Sequence, residues 1–123
     1  MDGQALALAC REYADDKKAE NLLVLDVREV SSITDYFVIA TGNSEPHVRA
    51  IWTDIAGRLQ KDHAMPPPKP EGDRQNQWVV LDYYDVIVHV MLQSVRDQYD
   101  LEGLWQDAPR LAWPEVVSEE SAG

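Results

Sequence analysis

The chain is poor in the features that define secreted and membrane proteins. Its 123 residues include a single cysteine, Cys10, so no internal disulfide bond can form. One cysteine is typical of a reducing compartment, and we expect a cytoplasmic protein. No apolar run approaches the roughly 20 residues that a membrane-spanning helix needs, so we expect no membrane contact. The N-terminus carries Asp2 and Glu12 and has no basic region before an apolar one, which argues against a targeting peptide.

Basic residues are also scarce. The sequence has 11 lysines and arginines against 22 acidic residues, which gives a formal net charge of −11. Nucleic-acid-binding proteins normally present a basic face, so direct binding to RNA or DNA is disfavoured as the main contact. A basic protein partner is favoured, because opposite potentials speed association. The alternative explanation is that the acidic surface serves solubility only.

The rest of the composition, with 45% hydrophobic and 27% charged residues, is that of a globular domain. Hydrophobic periodicity and turn signals predict helices over 4–18, 44–61 and 94–105, and strands over 21–27, 34–40, 78–81 and 86–92. The order α-β-β-α-β-β-α predicts an α/β (α+β) fold, a mixed sheet packed with helices. We expect one domain over residues 1–107 and a mobile acidic tail over 108–123.

Three local signals refine this prediction. Ser44 is a good N-cap for the helix that follows it, and the helical stripe includes Val48, Ile51 and Ile55. Both faces of the strand over 86–92 are largely apolar, which predicts a central strand with cover on each side. The proline-rich stretch over 65–70 is typical of a stiff extended connector within one domain.

The sequence offers no constellation for catalysis or metal binding. His47, His63 and His89 fall on three different elements, and no pair has the spacing of a helical zinc motif. Cys10 lies on the apolar face of the first helix, which is typical of a structural cysteine. We expect no catalytic residue, no metal and no cofactor.

One stretch supports an alternative function. The turn at Gly42 and Ser44 joins a strand to a helix N-terminus, an arrangement that can cradle a phosphate. With Asp82 and Asp85 as metal ligands, this turn would suit a nucleotide-binding or nucleotidyltransferase-like enzyme. Against this reading, Asp is a common turn residue, and Arg49 is the one basic residue that adjoins the turn.

Aromatic residues give a stronger signal for protein binding. Tyr83 and Tyr84 lie in the predicted hairpin turn, where burial in a core is difficult, and Trp78 lies on the strand before it. Tyrosine and tryptophan are enriched at interface hot spots. We predict a partner-binding face that is made of six residues: Trp78, Asp82, Tyr83, Tyr84, Asp85 and His89.

Four blocks of the sequence carry a family resemblance, and together they run from about Leu6 to Trp105. They are residues 31–42 with Ser44 (SSITDYFVIATG, then S), 47–51 (HVRAI), 78–83 with 85–90 (WVVLDY and DVIVHV), and 99–105 (YDLEGLW). In this order and register they resemble the signature of the Iojap-like ribosomal silencing factors.

This resemblance implies a function without catalysis. Members of the family bind a ribosomal protein on the intersubunit face of the large ribosomal subunit and sterically block joining of the small subunit. The resemblance also implies a nucleotidyltransferase-like fold and a homodimer. A third reading, an oligomerising adaptor with no ribosomal role, stays open.

The sequence departs from the family at one position in the hairpin. Many members have glycine where this chain has Tyr84, and glycine in a tight hairpin commonly supplies a positive φ angle. Tyrosine at such a position costs strain or forces a different turn. The tail beyond Asp107 lies outside the resemblance, and we assign it no function.

Overall fold

The computed structural model of the chain describes residues 2–72, 77–100, 103 and 108–111. The elements are α1 Gly3–Asp16, β1 Glu20–Asp26, β2 Tyr36–Gly42, α2 Glu45–His63, β3 Glu71–Gly72, β4 Trp78–Asp82, β5 Val86–Leu92 and α3 Gln93–Tyr99. The seven predicted elements are confirmed, with ends that shift by one or two residues, except that α3 ends at Tyr99 in the described part of the chain. Of the rest of the predicted third helix, residues 101, 102, 104 and 105 lie outside the described residues.

The strands form one mixed sheet in the order β1-β2-β5-β4-β3. β2 and β5 are parallel, with Tyr36 opposite Val86 and Gly42 opposite Leu92, and the other pairs are antiparallel. The α/β fold with a mixed sheet is therefore confirmed, and so is the central position of β5. We call the end of the sheet that holds Tyr36, Val86 and the β4–β5 turn the hairpin end.

One face of the sheet is covered by α1 and α2. The packed layer consists of buried residues from the two helices and from β1, β2, β4 and β5, among them Leu6, Cys10, Val38, Ile51 and Val88. Val86, Val88 and Val90 of β5 are fully buried in this layer. Burial of apolar side chains from the strands and the two helices on this face is the main source of stability in a domain of this size.

The turn between β2 and α2 depends on a glycine and a cap. A Cβ atom on Gly42 would lie 2.8 Å from Val48 Cγ2 and 2.9 Å from the Val48 backbone nitrogen, so only glycine fits this close approach. Ser44 Oγ accepts a hydrogen bond from the His47 backbone N–H at 3.2 Å, which confirms the predicted N-cap. These two residues fix where α2 begins.

The second face of the sheet is covered only in part. Leu25, Ile39, Met91 and Ala108 are buried there, and Val95 of α3 packs against them. On this face, the predicted cover is present over β1, β2 and Met91. Ile87 and His89 of β5 are only half-buried.

Two features correct the sequence-based prediction. The proline-rich connector leads into a strand, β3, which pairs with Val79 and Val80 of β4 and was not predicted. The prediction of a mobile tail is wrong for the segment over residues 108–111, which is hydrogen-bonded to β1. The Asp26 N–H donates to Pro109 O at 2.8 Å, and the Leu111 N–H donates to Val24 O at 2.9 Å. These residues extend the sheet edge at β1. Within the part of the chain that the structure describes, no helix is long and apolar enough to cross a bilayer.

Candidate partner-binding site

The six residues of the predicted partner face do not form one surface. Strand alternation places Trp78 and Asp82 of β4 on the second, partly covered face, together with His89 of β5. Tyr84 and Asp85 lie in the turn at the hairpin end. Tyr83 belongs to the layer under the helices. The structure therefore divides the prediction into a sheet patch, a turn patch and one core residue.

The sheet patch is organised around His89. The Trp78 indole Nε1–H donates a hydrogen bond to His89 Nδ1 at 3.1 Å, so the neutral imidazole carries its proton on Nε2. The Phe37 ring meets the His89 ring edge to face, with centroids 5.4 Å apart. Burial lowers the pKa of His89 to about 4, so the ring is neutral near pH 7. Neutral His89 can therefore hold Trp78 in a fixed orientation on the sheet.

Around this pair lies a contiguous, half-buried apolar surface with a carboxylate at its margin. Val80 is paired with His89, and Ile87 is paired with Asp82, which is exposed. We call the surface of Trp78, Val80, Asp82, Ile87 and His89 the open sheet face. Half-buried aromatic and aliphatic side chains beside a charged rim are the composition of a protein interface.

Tyr83 corrects the sequence-based argument that a turn aromatic stays available to a partner. Its side chain is 9% exposed and packs in the layer beneath α1 and α2. Val79, Leu81 and Tyr83 share one side of β4 and its extension, so alternation carries Tyr83 inward. Burial raises the pKa of its phenol, and its Oη has no hydrogen-bond partner among the described residues.

Tyr84 takes the opposite orientation and is 87% exposed. Its φ angle is 71°, so the positive φ that glycine commonly supplies in a tight hairpin is present here on a tyrosine. Asp82 Oδ1 accepts the Tyr84 backbone N–H at 2.9 Å, and the Tyr83 N–H donates to Val86 O at 2.9 Å. Asp82 thus stabilises the turn in addition to lining the open sheet face.

The geometry removes the basis for the nucleotide-binding alternative. The His47 ring occupies the turn before α2: its Nδ1 accepts the Asn43 N–H at 2.9 Å, and its Nε2–H donates to Lys17 O at 2.7 Å. Gly42 and the Asp82–Asp85 turn lie at opposite ends of the sheet. Six residue steps along β2 separate these ends, about 20 Å at roughly 3.3 Å per residue. The carboxylates cannot serve a phosphate at Gly42.

No other arrangement for catalysis emerges from the part of the chain that is described. Among its residues, no group of three histidine, cysteine or carboxylate side chains is close enough to hold a metal ion. Cys10 is fully buried, and burial raises its pKa to about 12, as expected for an unreactive structural thiol.

Sequence reasoning missed two residues, which lie at opposite ends of the sheet. Ile33 follows the first predicted strand and was assigned no role, yet its side chain is an apolar group that is 77% exposed at the hairpin end. Arg96 of α3 is buried and donates hydrogen bonds to Thr41 Oγ1, at 2.8 Å, and to Asn21 O. These hydrogen bonds join α3 to the sheet. An arginine in a predicted short amphipathic helix gives no sequence signal that it will be buried in this way.

Comparison with known proteins identifies the family to which this chain belongs. The family described as ribosomal silencing factor during starvation (RsfS) matches residues 1–123. A ribosomal silencing factor RsfS of Halalkalibacterium halodurans is 37% identical over 118 residues, covering 96% of this chain and 100% of that protein. The Bacillus subtilis RsfS is 42% identical over 109 residues, covering 89% and 92% of the two chains. The chain belongs to the ribosomal silencing factor family, and the resemblance read from its sequence is confirmed.

A solved structure agrees with this assignment. A protein from Chromobacterium violaceum superposes with a TM-score of 0.81 at 34% sequence identity, covering 86% of this chain and 88% of that chain. The α/β arrangement described above is thus also that of an experimentally solved relative.

Proposed function

We propose that this protein is a non-catalytic translational repressor that binds the large ribosomal subunit and blocks joining of the small subunit. Its membership of the ribosomal silencing factor family supports a role in translation at the ribosome. The resemblance of its sequence blocks to the family supports a basic ribosomal protein on the intersubunit face as partner. The formal charge of −11 suits such a partner, and a role at the ribosome supports a cytoplasmic location.

The observation that carries the proposal is the open sheet face. Trp78, Val80 and Ile87 leave apolar area accessible beside the Trp78–His89 hydrogen bond, and the acidic margin at Asp82 matches a basic partner. Rigid aromatic anchors of this kind dominate binding energy, while rim carboxylates act mainly on the association rate. The mechanism is occlusion: a protein of this size seated on the intersubunit face excludes the small subunit sterically.

Sedimentation with separated ribosomal subunits tests the proposal. The purified protein is expected to comigrate with large subunits and not with small ones. Binding at equal strength to both subunits, or to neither, would contradict it. The velocity profile of the free protein reports at the same time whether it forms the homodimer that the resemblance implies.

A charge-swap pair at one position tests the surface. Val80→Lys and Val80→Glu place a long charged side chain at the same half-buried site, so they share the same packing cost. With a basic partner, the lysine variant is expected to bind large subunits at least tenfold more weakly than the glutamate variant, since like charges at an interface cost several kcal/mol. Equal affinities of the two folded variants would move the contact away from the open sheet face.

A further inference from the structure

The exposed large hydrophobic side chains of the described residues all lie at the hairpin end of the sheet. Val30, Ile33 and Tyr84 are 51%, 77% and 87% exposed. All three lie on the two connections at the hairpin end, the β1–β2 loop and the β4–β5 turn. Asp85 O joins these connections, because it accepts the N–H groups of Asp35, at 3.1 Å, and Tyr36, at 3.0 Å. The three apolar side chains thus belong to one structural unit.

Hydrogen bonds hold the β1–β2 loop in a defined shape. The Val27 N–H donates to Asp35 O at 2.9 Å, which closes the loop at its base, and Val27 O accepts the N–H of Ser31 at 2.8 Å. Ser31 Oγ accepts the Ile33 N–H at 3.1 Å, and the next residue, Thr34, is buried. Ile33 is therefore presented to solvent by a fixed backbone, so little conformational entropy would be lost when a partner covers it.

Tyr84 gives an independent sign that this end has a function. Its backbone has a φ angle of 71°, a conformation that is unfavourable for a residue with a Cβ atom. Its ring is exposed, so the side chain contributes little to the core in return. A strained residue that folding stability does not explain points to a function at that position.

The charge around these side chains selects the kind of partner. The segments 27–36 and 82–85 contain four carboxylates, Glu29, Asp35, Asp82 and Asp85, and one basic residue, Arg28. The Arg28 guanidinium is itself ion-paired with Asp26 at 2.7 Å. A second copy of this chain or an RNA strand would bring like charges together here, whereas a basic polypeptide would be attracted.

A cavity beside Val30 offers space for such a polypeptide. Its volume is about 460 Å³, and it is lined by Asp26, Arg28, Glu29, Val30 and Pro109. An apolar side chain can pack against Val30 and Pro109, while the exposed Glu29 carboxylate can accept hydrogen bonds from a lysine or arginine.

We propose that the hairpin end, with Val30, Ile33 and Tyr84 as its apolar contacts, is a second docking surface for a basic polypeptide segment that also carries apolar side chains. The inference rests on the proposed function, in which that segment belongs to a protein of the large subunit. Asp82, which lies on the open sheet face and also holds the turn through the Tyr84 N–H, makes the two surfaces adjacent. Together they widen the contact beyond the sheet.

The double variant Ile33→Ser, Tyr84→Gly tests this surface. Both side chains are exposed, and glycine suits the positive φ, so the variant is expected to fold as well as the parent. Its affinity for purified large subunits should fall about thirtyfold, the loss typical of an interface hot spot. Gln60→Ala, an exposed change on α2, serves as the control and should bind like the parent.

A matched pair of charge variants tests the sign of the partner. Asp85→Asn removes a carboxylate at the hairpin end. Asp15→Asn removes an exposed carboxylate in the last turn of α1, about 20 Å from the first residue of that helix. Binding by Asp85→Asn should become less sensitive to salt than binding by Asp15→Asn. A photoreactive residue at position 33 should crosslink, on large subunits, to a lysine- or arginine-rich protein segment.

The outcomes separate this proposal from the proposed function. If the parent binds large subunits and the folded double variant binds them equally well, the docking surface is overturned and the proposed function stands. A crosslink to RNA or to a second copy of this chain would also overturn it. If the parent fails to bind large subunits, both proposals fail.

Discussion

At the residue scale, Tyr83 and Tyr84 are neighbours in sequence and lie in opposite environments. Period-two alternation through Val79 and Leu81 carries Tyr83 under the helices, and the positive φ at Tyr84 turns the next ring to solvent. The expectation that both rings stay outside failed because the turn was treated as a unit. Extending the strand pattern by one residue into the turn would have predicted the burial of Tyr83.

Replacing Tyr84 by glycine is expected to stabilise the fold. Glycine adopts a φ of 71° without the clash of a Cβ atom, and the expected gain in the free energy of unfolding is about 1 kcal/mol. Tyr84→Ala is the control, since it removes the ring and keeps the Cβ atom. Urea unfolding of the three proteins decides: equal stability of the glycine and alanine variants would show that the turn is not strained.

Removing the buried phenol oxygen is expected to stabilise the protein as well. Tyr83 Oη is buried, and none of the described residues accepts or donates a hydrogen bond to it. Tyr83→Phe should therefore raise the free energy of unfolding by about 1 kcal/mol, since an unsatisfied buried hydroxyl costs roughly 1–3 kcal/mol. Tyr83→Ala should instead lower it by roughly 3–5 kcal/mol through the cavity it leaves. A phenylalanine variant that unfolds more easily than the parent would indicate that the hydroxyl has a partner.

His89 gives the stability a pH dependence of known sign. Its pKa is about 4 in the folded protein and near 6.5 when unfolded, so below pH 6.5 the unfolded state binds more protons. The contribution of neutral His89 is complete above pH 6.5 and is lost as the pH falls towards 4, at about 1.4 kcal/mol per pH unit. His89→Gln, which can still accept the Trp78 N–H, should lack this slope. Parallel pH profiles of parent and variant would contradict the assignment.

At the element scale, the sequence was informative wherever periodicity was strong. The α2 stripe with its Ser44 cap and the central position of β5 were both predicted correctly, because each pattern arises from burial on defined faces. The strand β3 could not be predicted, because it has two residues and exists only through its pairing with β4. The pairing of residues 109–111 with β1 also left no signal in the sequence, because its hydrogen bonds join backbone groups.

The segment over residues 108–111 is expected to protect the sheet edge at β1. A chain that ends after Asp107 loses two backbone hydrogen bonds to β1 and the buried side chain of Ala108. It should unfold at least about 2 kcal/mol more easily, at roughly 1 kcal/mol per hydrogen bond, and should self-associate through the uncovered edge. A chain that ends after Leu111 is the control, measured by urea unfolding and light scattering. If both chains behave alike, residues 108–111 do not support the edge.

At the scale of the whole molecule, the two faces of the sheet are covered to different extents. Two helices close one face and hold the fold, while the second face is left half-open around Trp78 and His89. Sequence reasoning placed all six residues on one face, whereas the sheet brings only Trp78, Asp82 and His89 to a common side and leaves Tyr84 and Asp85 in the turn. Sequence reasoning could not predict that Ile33 and Tyr84 lie at the same end of the sheet, because that placement depends on the parallel pairing of β2 with β5.

The net acidic charge of the whole molecule predicts how binding to large subunits responds to salt. Since a formal charge of −11 is expected to steer the protein to a basic partner, raising the ionic strength should slow association with large subunits and change dissociation little. Stopped-flow mixing at several salt concentrations measures both rates. A salt effect confined to the dissociation rate would contradict electrostatic steering.

An order-of-addition subunit-joining experiment tests the central claim, occlusion of the joining face, most directly. The protein is added to large subunits either before or after small subunits, and the fraction of joined ribosomes is read from a gradient. Occlusion predicts a strong loss of joined ribosomes when the protein is added first, relieved by excess small subunits, and a much slower loss when it is added last. The Val80→Lys variant should inhibit less than Val80→Glu. Binding to large subunits without any loss of joining, or inhibition that excess small subunits do not relieve, would contradict the account.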